Sequence, residues 1–250
     1  MIASLGMYDM PPMQAANDRY WALIAEALNI FVPLTRGAGA YWDAWQSNDL
    51  ILSQTCGYPY RARLHGQVTL VGTPDYGLPG CAPGYYCSVF VARDDDPRDN
   101  LAAFDGARFA YNEPLSQSGW AAPQTHAHGL GIHLPPSLET GGHAQSAAAV
   151  AEGRADIAAL DALTWGLLQL HAPPLSLREV ARTSPTPGLP YITARHRDPA
   201  PIFATISDAI VALSPQDREI LHLNGIVAIP SSSYLEVPIP PAPDQIAQRN

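Results

Sequence analysis

What most constrains this chain is the way short apolar runs, each ending in small polar residues or glycine, alternate with stretches of helical periodicity. Residues 2–5 read as a strand, followed by Tyr20, Trp21, Ile24 and Leu28 at helical spacing with Asn17 as the N-cap. Residues 50–52 and 68–71 read as short buried strands, and 85–93 as a long extended run ending in the turn Asp94-Asp95-Asp96-Pro97. A second series follows: helical 101–104, strand 108–111, helix 116–128, helix 144–152, strand 156–160 and helix 162–170. Strand-like 179–182 and 191–193, helices 201–213 and 215–221 and a strand at 226–228 complete it, and the proline-rich tail from Pro238 reads as extended or disordered. This order of elements is that of an α/β fold with a largely parallel sheet.

Composition narrows the function classes. With 250 residues, 47% of them hydrophobic, the chain can bury one large core or two smaller ones. Its net charge is -9, it contains no lysine, and its 14 arginines form no run, which excludes a nucleic-acid partner. A small anionic ligand is still allowed, because local donors rather than the global field govern a small site. No apolar run reaches about 18 residues, so no membrane span is expected. Residues 1–10 lack the basic and apolar regions of a secretory signal, so the chain reads as cytoplasmic, or as periplasmic with a leader removed.

Little points to catalysis or metal. Cys56, Cys81 and Cys87 have neither zinc-site nor CxxC spacing; Cys81 and Cys87 either bridge a Gly/Pro-rich loop or remain thiols. The eight histidines form no HExxH or other metal spacing, and no GxSxG, P-loop or GxGxxG motif is present. No metal, cofactor or catalytic residue is therefore assigned. Cys56 reads as a small buried residue.

The informative segments lie where strands give way to helices. Tyr111-Asn112-Glu113-Pro114-Leu115-Ser116-Gln117-Ser118-Gly119-Trp120 carries a strand through a loop into a helix, so Ser116, Gln117, Ser118 and Gly119 sit at a helix start. Free backbone N–H groups, the positive end of the helix dipole and two hydroxyls there favour an anion; the plainer reading makes Ser116 only an N-cap. Ser53, Gln54 and Thr55 follow a buried strand in the same way, and Tyr8 follows the first strand. His143, after Thr140-Gly141-Gly142, stands at another helix start and reads as a donor to an oxyanion or as a capping residue. Asp161 follows an apolar strand directly and reads as an N-cap or as an acceptor for a ligand amine or hydroxyl.

As a set, Asn112-Glu113-Pro114-Leu115-Ser116-Gln117-Ser118-Gly119, Pro123, Thr140-Gly141-Gly142-His143 and Gly153-Arg154-Ala155-Asp156-Ile157-Ala158-Ala159-Leu160-Asp161 resemble the phosphonate-type substrate-binding proteins of ABC transporters, over almost the whole chain. The resemblance implies a type 2 periplasmic-binding-protein fold: two mixed sheets joined by a two-strand hinge, one lobe from 1–88 and 192–250, the other from 89–191, and a ligand cleft between them. It further implies that Ser116, Gln117 and Ser118 hold phosphonate or phosphate oxygens, that His143 adds a donor, and that Asp161 meets the variable end of the ligand. Tyr8 and the Ser53 to Thr55 turn match the other lobe's contribution. Gln117 departs from the pattern, standing where a hydroxyl residue is common. The expected function is capture of a small oxyanion by a monomer that hands it to a membrane permease; the alternatives are an enzyme or a ligand sensor on the same fold.

Overall fold

The computed structural model describes residues 1–37 and 40–248, which form twelve strands. They are β1 (Ile2–Ser4), β2 (Leu50–Gln54), β3 (Val68–Asp75), β4 (Tyr85–Tyr86), β5 (Ser88–Arg93), β6 (Phe109–Tyr111), β7 (Pro136–Glu139), β8 (Ile157–Asp161), β9 (Leu177–Arg182), β10 (Thr186–Pro187), β11 (Tyr191–Ala194) and β12 (Gly225–Val227). Two compact units contain them, one of Met1–Tyr85 with Pro187–Glu236, the other of Tyr86–Thr186 with Val237 onwards.

The first unit is built on a five-stranded sheet of order β1-β2-β11-β3-β12. β1 and β2 run parallel, while β11 lies antiparallel between β2 and β3, and β12 antiparallel on the far side of β3. β2 is buried along its whole length, which explains why Leu50-Ile51-Leu52 is a continuous apolar run rather than an alternating one. One face packs Trp45, Leu50, Tyr60, Leu64, Ile192 and Tyr234 into a common cluster.

The second unit repeats the plan with order β7-β6-β8-β5-β9. β6, β7 and β8 are parallel, and β5 is antiparallel to both its neighbours, β8 and β9. Phe90, Phe104, Phe109 and Trp120 are fully buried here, and the Trp120 ring lies 5.0 Å from Tyr111 and 6.4 Å from Phe109. Both sheets are thus mixed, as the resemblance implies, rather than largely parallel as the order of elements alone reads: in each, a strand reached by a long extended segment, β11 or β5, enters against the direction of the βα units.

Three local readings differ from the sequence expectation. Asn17 is not an N-cap: Pro11–Met13 forms a 3-10 turn leading straight into the helix Gln14–Ala27, and Asn17, one turn inside, donates from Nδ2 to Asp9 at 2.9 Å. β7 was not anticipated, because Pro136 opens it; proline is tolerated there because β7 is an edge strand. The tail, expected to be extended and to accompany the first lobe, groups with the second unit and carries a helix, Pro243–Ala247. Residues 249 and 250 of the expected first lobe lie outside the described residues. Cys56, Cys81 and Cys87 are not joined to one another by disulfides.

Candidate functional site

In the second unit, the loops leaving β6 and β7 are clamped side by side. Thr140 donates its backbone N–H to the Tyr111 carbonyl at 2.9 Å, and Gly141 donates to the Asn112 carbonyl at 2.8 Å. The Thr140 hydroxyl, also bonded to the Tyr111 carbonyl and Ser146 Oγ, locks the same junction. Gly141 makes the turn at φ 83°, a conformation that disfavours a side chain. Two helix starts are thereby brought together, Gln117–Ala121 continuing into Ala122–Gly129, and His143–Ala151.

Ser116 caps the first of these helices, its Oγ accepting from Gly119 N at 2.9 Å. Capping occupies an acceptor lone pair and leaves the O–H as a donor. The second helix starts after Gly142, which has no side chain to cap it, so its first N–H groups have no capping oxygen. Ser118 Oγ and His143 Nε2 join the two starts across 3.0 Å. Burial pushes the His143 imidazole down to about 4, partly opposed by the Ala159 backbone, so the ring is neutral at physiological pH. Because the ring is neutral and one hydrogen lies in the Ser118–His143 bond, that pair keeps at most one donor for a ligand; with the Ser116 hydroxyl and backbone N–H groups at the positive ends of two helix dipoles it forms a donor set suited to an oxyanion.

Ser116, Gln117 and Ser118 are each 1% exposed. Gln117 reaches Thr186 Oγ1 through Nε2 only at 3.4 Å, and its Oε1 is buried without a hydrogen-bond partner. Gly119 is dictated by contact: a Cβ there would lie 1.9 Å from Asn112 Oδ1. Asp161, at the end of β8, accepts from Thr164 N at 2.9 Å and so caps the helix Ala162–His171. The cap engages Oδ1, which makes the plainer reading of this residue real.

The first unit presents its own carboxyl-end residues. Tyr8 packs edge-on against Tyr76 with ring centroids 5.1 Å apart, and Gln54 Nε2 donates to the Tyr76 hydroxyl at 2.9 Å and to the Leu189 carbonyl at 3.1 Å. Tyr8, Gln54 and Tyr76 border one small internal space with Asn17 and Tyr191. Ser53 Oγ instead accepts from the Trp45 indole at 3.2 Å, and Thr55 is held by its N–H to the Pro190 carbonyl at 3.1 Å. Ser53 and Thr55 are buried and engaged in the fabric of the unit, while Tyr8 and Gln54 share a polar lining. Among the described residues no group of three or more His, Cys, Asp or Glu side chains is arranged to hold a metal, and no helix is long and apolar enough to cross a membrane.

A model of the family described as ABC transporter, phosphonate, periplasmic substrate-binding protein matches residues 40–233. Curated proteins compared by sequence give no match. Among solved structures, PhnD1 from Prochlorococcus marinus in complex with methylphosphonate superposes with a TM-score of 0.69 at 16% identity, over 94% of this chain and 93% of that one. A binding protein component of an ABC phosphonate transporter from Pseudomonas aeruginosa gives 0.71 at 14% identity, over 93% and 82%. MatC from Rhodopseudomonas palustris with bound malate gives 0.63 at 13% identity, over 99% and 95%. At these identities the structures establish the fold: a type II periplasmic-binding-protein fold.

Proposed function

The chain belongs to the family of phosphonate ABC-transporter periplasmic substrate-binding proteins, and we propose that it is a solute-binding protein, not an enzyme, that captures a small oxyanion, a phosphonate or phosphate, for delivery to a membrane permease. The observation that carries this reading is the junction of two helix starts through Ser118 and His143, 3.0 Å apart. Such a junction concentrates N–H and O–H donors on one point, and an anion gains from both helix dipoles there. Ser116, the Ser118–His143 pair and the backbone at Gln117 hold the oxyanion. Asp161 meets an amine or hydroxyl at the other end of the ligand.

A neutral donor set suits this work. Hydroxyl and amide donors to a charged group contribute roughly 1.5–3 kcal/mol each, enough for tight capture without a buried cation. The methylphosphonate named for one of the fold relatives supports the ligand class. Native mass spectrometry of the purified protein, followed by calorimetry with methylphosphonate, inorganic phosphate and malate, tests the proposal. A co-purified phosphorus oxyanion, or a phosphorus ligand preferred over malate, is expected. Binding only of carboxylates or of uncharged solutes would overturn it.

A further inference from the structure

We propose that the side-chain amide of Asn112 is a further ligand donor, set beside Ser116 by the absence of a side chain at Gly119; the inference rests on the oxyanion reading above. Asn112 is the first residue beyond β6, and its backbone carbonyl is already engaged by Gly141 N. Asn112 is 9% exposed, and its Oδ1 is buried without a hydrogen-bond partner. The buried Oδ1 is an acceptor that an oxyanion cannot pair, whereas Nδ2, which is not among the buried unpaired atoms, keeps its two N–H groups for a group supplied from outside the chain.

Geometry gives Asn112 its place. A Cβ built on Gly119 would meet Asn112 Oδ1 at 1.9 Å, Asn112 Cγ at 2.8 Å and Ser116 Oγ at 3.2 Å. The volume that any other residue's Cβ would fill is therefore where the Asn112 amide and the Ser116 hydroxyl come together. With Oδ1 turned against Gly119, the two N–H groups of Nδ2 remain for a ligand oxygen. Gly119 thus serves two purposes, giving its N–H to the Ser116 cap and its empty side to Asn112.

Titration calorimetry of methylphosphonate and inorganic phosphate into the wild-type, Asn112→Ala and Asn112→Asp proteins, with the melting temperature of each ligand-free protein, tests this. Affinity should fall at least tenfold in Asn112→Ala and further in Asn112→Asp, which exchanges two donors for a negative charge. The ligand-free melting temperature of Asn112→Ala should hold or rise, because an unpaired group has been removed. Unchanged affinity in both variants, or a marked loss of ligand-free stability, would overturn the proposal. If the wild-type protein binds neither probe, the phosphorus-oxyanion reading fails, and the ligand-free melting temperature alone decides: a marked fall makes Asn112 structural, and none supports its reservation for a ligand.

Discussion

His143 and Asp96 respond to acid in separate windows. Burial holds the His143 imidazole neutral down to about 4, whereas the unfolded chain takes up that proton near 6.5. Between those values the unfolded state binds more protons, so stability falls as pH drops from about 6.5 to about 4. Asp96 is held down to about 2, first by the hydrogen bond from Arg98, against the opposing effect of burial. Its contribution is therefore present above 3.8 and lost as pH falls towards 2. His143→Gln should flatten the fall in melting temperature between pH 6.5 and 4 and leave the steeper acid limb; an unaltered profile would mean that His143 is not the group titrating. Asp161 lends itself to a similar separation. Asn caps a helix about as well as Asp, so Asp161→Asn should keep the melting temperature while changing the order in which amine-bearing and plain phosphonates bind. A lower melting temperature with that order intact would reduce Asp161 to its cap.

At the scale of elements, the helix after β6 and the tail depend on one another. Trp120, fully buried, donates its indole N–H to the Pro241 carbonyl at 3.2 Å, and Pro238, Pro240, Pro241 and Ile246 wall an apolar cavity of about 780 Å³ with Ile132 and His128. Truncation after Glu236 should lower the melting temperature by several degrees, through the orphaned indole and the exposed apolar surface; an unchanged melting temperature would show the tail to be dispensable. This dependence was hidden in the sequence, because proline-rich segments without periodicity give no sign of what they pack on. Strands with continuous burial, such as β2 and β8, were legible from their apolar runs, and the helix starts at Ser116 and Asp161 from their capping residues. Mixed sheet direction came only from the family resemblance, since a strand's own residues do not record which way its neighbours run. Nor was the part played by Asn112, whose significance depends on a contact with Gly119 that only the fold creates.

At the scale of the molecule, two units of like design carry the chain from one to the other at Tyr85–Tyr86, back at Thr186–Pro187, and across again after Glu236. Each has its own sheet and core, and the carboxyl ends of the strands supply the polar turns in both. A ligand that binds only the folded protein stabilises it by about 2.7 kcal/mol at a hundredfold excess over Kd, so a true ligand should raise the melting temperature visibly. The central claim, that an oxyanion is held at the Ser116 to Gly119 helix start, is met most directly by titration calorimetry of methylphosphonate into the wild type and the Ser116→Ala, Ser118→Ala double variant. Loss of two hydroxyl donors to a charged group, each contributing roughly 1.5–3 kcal/mol, should weaken binding at least tenfold with the secondary structure intact. An affinity that survives both substitutions unchanged would contradict the account.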